Sequence, residues 1–176
     1  MKKIVSLVVA ALVMCSCADS FLSEEPVGEF MSEQVESEEN IEGIVIGAYA
    51  VLDGYYASDA INSGCSNWQF GDVVSDDAYK GGGGTGDQNQ IHLMEIFNAN
   101  PTGIDFEARW AALYEGVKRC SQAIRLLSNS TVKNKEQRLA EMRFLRGHYY
   151  FNLKVIYNLI PWIDETVVDP NEYHTK

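Results

Sequence analysis

Basic side chains are scarce in this chain. Lysine and arginine number 14 against 25 aspartates and glutamates, a formal net charge of −11 over 176 residues. Nucleic acid and anionic lipid surfaces both reward clustered Lys and Arg, so this balance argues against either as a partner. Histidine is sparse too: His92, His148 and His174 stand apart from one another and are assigned no role. The four cysteines (Cys15, Cys17, Cys65, Cys120) form no CxxC pair and no Cys/His cluster, which argues against zinc. No metal and no cofactor is expected. Cys120 reads as a small buried apolar residue, and a Cys65–Cys120 disulfide stays open, conditional on an oxidising compartment.

What is present begins with Lys2-Lys3 and the apolar run Ile4 to Met14, the charged start and apolar centre of a secretory signal. The run is too short for a bilayer span, which takes about 20 residues. Met14-Cys15-Ser16-Cys17 follows and resembles the lipobox of bacterial lipoproteins, with Met where Leu is usual. Residues 1–16 are therefore expected to be a lipoprotein signal peptide and Cys17 the acylated first residue, with Cys15 the weaker alternative. Loss of Lys2 and Lys3 would leave the mature chain more acidic still. Residues 17–36, rich in Ser and Glu and broken by Pro26 and Gly28, read as a tether.

From residue 37 onward the pattern is helical, and the hydrophobic fraction of 46% suits one modest core. Ser37 is placed to cap a first helix whose stripe is Ile41, Ile44, Val45, Ala48, Leu52 and Tyr55. Gly43 and Gly47, four apart, are expected to let a neighbouring helix come close. Residues 105–128 keep a 3.6-residue period through Phe106, Trp110, Leu113, Tyr114, Val117, Cys120, Ile124 and Leu127. A short polar turn leads to a third stretch, Gln137 to Trp162, with one row at Leu139, Met142, Leu145, Tyr149, Leu153 and Ile156. A second row at Ala140, Phe144, Gly147 and Phe151 makes the apolar surface wide enough for a helix covered on two sides. Pro161 is expected to end it. Two long amphipathic helices joined this closely lie antiparallel, as in a tetratricopeptide-like hairpin. The fold class expected is all-α, an incomplete superhelix of such hairpins interrupted by a long irregular loop. The acidic stretch 163–176 reads as a sequence cut off in mid-fold.

The irregular part, Ala57 to Thr102, holds room for one short helix at Gln90 to Asn98. Asp72, Asp76 and Asp77 lie on one loop, whereas glycosidase carboxylates face each other from separate segments. EF-hand spacing is absent as well, so a solvated acidic loop is favoured over catalysis or calcium. Gly81 to Gly86 lacks the Lys-Ser/Thr of a phosphate loop and reads as flexible chain. Trp68, Phe70 and Tyr79 look exposed. Trp110, Tyr149, Tyr150 and Phe151 sit at core spacing, and Arg143 and Arg146 beside Glu141 suggest a structural charge network.

Five stretches in order carry a family resemblance. They are Cys17-Ala-Asp-Ser-Phe-Leu-Ser-Glu-Glu-Pro26, Gly47-Ala-Tyr-Ala-Val-Leu52, Gly71-Asp-Val-Val-Ser-Asp-Asp77, the Trp110/Tyr114/Val117/Cys120 spacing, and Glu141 to Pro161. Together they resemble the N-terminal part of the SusD/RagB family of outer-membrane nutrient-uptake lipoproteins. Departures are Ser121 for the family's Asn, Gly147 for Ala, Asn158 for Gly, and a shorter chain than family members have. The resemblance implies that 37–176 is the N-terminal part of a SusD-like helical domain whose C-terminal part is missing. It also implies a non-catalytic, surface-exposed lipoprotein, lipid-anchored in the outer membrane, that captures oligosaccharide for a TonB-dependent, SusC-like transporter. The family places ligand contacts after its first helix, so Trp68 and Tyr79 are candidates to stack on sugar rings. Asp77 and Asn89 are candidates to hydrogen-bond hydroxyls. The reading favoured over sugar stacking is that the aromatics tack the loop to the helices. A helical-repeat lipoprotein serving as a protein-binding assembly adaptor is the alternative function.

Overall fold

The computed structural model describes residues 38–54 and 67–167. Residues 1–16, the tether 17–36 with Cys17, the Ser37 cap, Tyr55, Cys65 and His174 lie outside the described residues. What is described is all-α, with no β-strand among those residues. It comprises α1 (Glu38–Tyr49), α2 (Asn89–Glu95), α3 (Ile104–Asn129) and α4 (Lys135–Tyr157). None of these helices is long and apolar enough to cross a membrane.

α3 and α4 form the hairpin that the periodicity predicts. Lys135 Nζ donates to Ser128 O at 2.7 Å at one end, and Tyr157 Oη donates to Phe106 O at 2.6 Å at the other. Contacts pairing the start of each helix with the end of its partner require antiparallel axes. Asp105 and Glu107 in the first turn of α3, and Lys154 in the last turn of α4, complement the helix dipoles. The core between them takes Leu113, Val117, Cys120, Ile124 and Leu127 from α3 and Leu139, Met142, Leu145, Tyr149 and Leu153 from α4. Each such aliphatic side chain contributes roughly 1.5–3 kcal/mol when fully withdrawn from water. Cys120 is a free thiol within this core, and burial pushes its pKa up to about 12.

α1 closes the core with Ile41, Val45 and Ala48. The next inward residue is Val51 rather than Leu52, which is exposed. Ala50–Asp53 winds as a 3₁₀ turn. With three residues per turn, Val51 eclipses Ala48 and Leu52 rotates outward. The close approach expected at Gly43 and Gly47 is also elsewhere. Among the described residues nothing lies within 4 Å of a Cβ at either, whereas a Cβ on Gly116 would lie 2.6 Å from the Tyr149 ring. That packing lets Tyr149 reach across to α1, where its hydroxyl donates to Ala48 O at 2.7 Å.

The second row of α4 is not covered by the described residues. Phe144 is 79% and Phe151 68% exposed, and Ala140 and Gly147 are exposed with them. Phe151 is therefore a surface residue, while Tyr149 and Tyr150 pack as expected. α4 ends at Tyr157, before Pro161 can act, because Asn158 turns the chain at φ 60°. Asn tolerates that conformation better than most residues other than Gly.

The chain then straps back over the hairpin. Tyr114 Oη donates to Pro161 O (2.8 Å) and Tyr150 Oη to Ile163 O (2.6 Å), and Trp162 stacks on Tyr150 with centroids 4.5 Å apart. Arg146 binds the Glu165 carboxylate and donates to Ser121 Oγ at 3.1 Å. The charge network thus has other members than its sequence neighbours suggest. Glu141 pairs with Arg138 at 2.7 Å, Arg138 also grips Glu42 of α1, and Arg143 is exposed.

Candidate functional site

The segment 67–103 meets the helical core at a buried cation and an aromatic contact beside it. Arg109 stands one turn before Leu113, at a core position of α3, and is buried. Its guanidinium donates to Asn67 Oδ1 (2.9 Å) and Asn152 Oδ1 (3.2 Å) and lies 5.3 Å from the centre of the Phe70 ring. Phe70 also meets Phe106 edge-on at 5.5 Å. Phe70 is thus half-buried, contrary to its exposed look in the sequence, because a cation and an aromatic edge both favour its ring. A charged residue at a core register is a legible signal of such an anchor, and the periodicity reading passed over it.

Trp68 opens a single π-helical turn, Trp68–Asp72, closed by Val73 N donating to Trp68 O at 2.8 Å. Gln69 and Val73 are buried while Trp68 stays exposed. This turn packs against α2, which is seated by Ile91 and Met94. α2 also fixes the chain beyond Tyr79, since Lys80 N donates to Glu95 Oε1 at 3.0 Å. That backbone donor holds the Glu95 carboxyl below the usual range, with His92 adding to the effect.

Of the two candidate stacking residues, Tyr79 is the more exposed, at 77% against 37% for Trp68. Asp77 lies on the exposed turn before it and accepts from Ser75 Oγ at 3.0 Å. Asn89 is the first residue of α2 and donates through Nδ2 to Thr85 O at 3.1 Å. The segments of Trp68, Tyr79 and Asn89 are therefore tied to one short helix. The side chains of Asp77 and Asn89 are each engaged within their own turn. Asp72, Asp76 and Asp77 share one exposed loop, and no group of three or more His, Cys, Asp or Glu side chains suited to a metal occurs among the described residues.

The glycine-rich stretch has a definite conformation. Gly81, Gly82 and Gly84 adopt φ of 75°, 80° and 123°, values that favour glycine. Gly83 N donates to Asp87 Oδ2 at 3.0 Å, and a Cβ on Gly82 would overlap that carboxylate. The turn is wound around the Lys80 ammonium, a residue the sequence reading did not single out.

Compared with protein-family models and with curated proteins, the chain matches neither a family nor a relative.

Proposed function

We propose that the chain is a surface-displayed, lipid-anchored glycan-binding protein of SusD type that captures oligosaccharide for a TonB-dependent, SusC-like transporter in the outer membrane. It acts by binding and carries out no reaction. The observation that carries this reading is the exposure of Trp68 and Tyr79 on a segment anchored to a rigid helical core. Aromatic faces held in place on a solvated surface suit the apolar faces of sugar rings. The five ordered motifs, the lipobox-like Cys17 and the all-α core support it. On this reading the α3–α4 hairpin is a tetratricopeptide-like unit of an incomplete superhelix, and the Phe144/Phe151 row is where a following helical layer packs.

The adaptor reading draws on that same row, since Phe144, Phe151 and Val155 present an apolar helix face to solvent. Affinity electrophoresis of the whole chain against a polysaccharide panel separates the two. Glycan capture predicts retardation by at least one polysaccharide, lost in Trp68→Ala and kept in Phe151→Ala. Adaptor function predicts no retardation by any. Metabolic labelling with palmitate tests the anchor: label is expected on the wild type and absent from Cys17→Ala.

A further inference from the structure

Lys80 is buried, with a side-chain ammonium that meets only backbone oxygens. Its Nζ donates to Gly81 O at 3.0 Å, Gly84 O at 2.9 Å and Asp87 O at 2.6 Å. An ammonium has three N–H donors, so these three carbonyls satisfy it completely. Among the described residues no carboxylate lies within 4.0 Å of it, unlike the Arg138 and Arg146 pairs elsewhere in the chain. Burying a charge is costly unless oxygen dipoles replace its water, and converging carbonyls are how backbone replaces the hydration shell of a monovalent cation. Three glycines at positive φ turn those carbonyls inward, and Asp87 braces the far side through Gly83 N. Without a central positive charge the same carbonyl dipoles would repel one another.

We propose that the 81–87 loop is a monovalent-cation site whose resident cation is the tethered Lys80 ammonium. The loop closes around charge rather than around apolar contact, and removal of the lysine side chain leaves a nest that a free ammonium or potassium ion can fill. Tyr79 immediately precedes this lysine, so the same charge fixes how that ring is presented. This last link rests on the glycan reading, while the cation requirement does not.

Hydrogen exchange of the Gly83 and Asp87 amides in the whole chain, at constant ionic strength, reads the cation requirement alone. Wild-type protection is expected to be the same in choline, potassium and ammonium chloride. Lys80→Ala is expected to exchange about tenfold faster in choline chloride, as a locally opened loop would, and to recover in ammonium or potassium chloride. Lys80→Met, which keeps most of the stem without the charge, is expected to exchange fast in every salt. Wild-type protection in Lys80→Met, or indifference of Lys80→Ala to the cation, would overturn the proposal. Helicity unchanged by circular dichroism in both variants keeps either result local to the loop.

Discussion

In the helical core, the hydroxyls of Tyr114, Tyr149, Tyr150 and Tyr157 each donate to a backbone carbonyl, at 2.8, 2.7, 2.6 and 2.6 Å. In the 67–103 segment, Tyr79 turns its ring to water, and the polar contacts that shape the chain come from Lys80, Asn67 and Asp87. The two regions use the same residue type for opposite ends. Burial raises the pKa values of Tyr114, Tyr150 and Tyr157, that of Tyr157 to about 12, so these three phenols remain neutral donors. The loop is held by a buried guanidinium and a buried ammonium, which fix the backbone and leave aromatic faces outside. Cooperative stability therefore belongs to the helices, and the recognition proposed for Trp68 and Tyr79 falls to a surface that contributes little to it.

Substitutions that weigh the regions against each other sharpen this contrast. The largest effect is expected in the core, where Leu153 is fully buried. Leu153→Ala should cost about 2–5 kcal/mol in urea unfolding through lost transfer energy and a residual cavity. A cost under about 1 kcal/mol would mean that α4 is not the centre of the core. Gly116→Ala comes next. Its new methyl would meet the Tyr149 ring at 2.6 Å, and the shift needed should cost about 1–3 kcal/mol. Gly147→Ala is the mirror case. Among the described residues nothing lies within 4 Å of its Cβ position, so relief from glycine's low helix propensity should stabilise the chain by up to about 1 kcal/mol. Equal signs for the two glycines would break the distinction between the inner and outer faces of the hairpin.

The smallest expected effect concerns the strap after α4. Thr166 and Trp162 donate to the Asp164 carboxylate and lower its pKa from 3.8 to about 2. A carboxyl depressed in the folded state contributes stability above its unfolded pKa and loses it as pH falls through the folded one. The Trp162 indole N–H resonance should therefore hold steady from neutral pH down to about 4 and move only as pH approaches 2. Movement centred near 4 would show that the strap does not hold this group.

The long helices and their inner faces were legible because burial on one side imposes a period that composition cannot hide. Leu113, Val117, Ile124, Leu145 and Leu153 all fall where that period puts them. The outer row of α4 was not legible in the same way. Phe144 and Phe151 announce an apolar face, but periodicity carries no information on what covers it. Val51 displaced Leu52 because a 3₁₀ turn changes the period within four residues, and no local residue announces that switch. Gly116 was hidden because its role is a contact with Tyr149, which lies 33 positions away in the chain. In the irregular segment, Trp68 and Tyr79 look exposed in the sequence and are exposed. The two cations that organise it, Arg109 and Lys80, were missed. Their signals are a charge at a core register and a lysine beside a glycine run, and both are easily taken for solvated surface.

The decisive measurement pairs stability with affinity in Trp68→Ala/Tyr79→Ala. Thermal unfolding of this double variant should match the wild type, as expected for exposed side chains. Calorimetric titration with whichever polysaccharide retards the wild type should show binding lost by at least about tenfold, the scale of two removed stacking contacts. Undiminished affinity in a variant that folds normally would contradict capture of oligosaccharide through this surface.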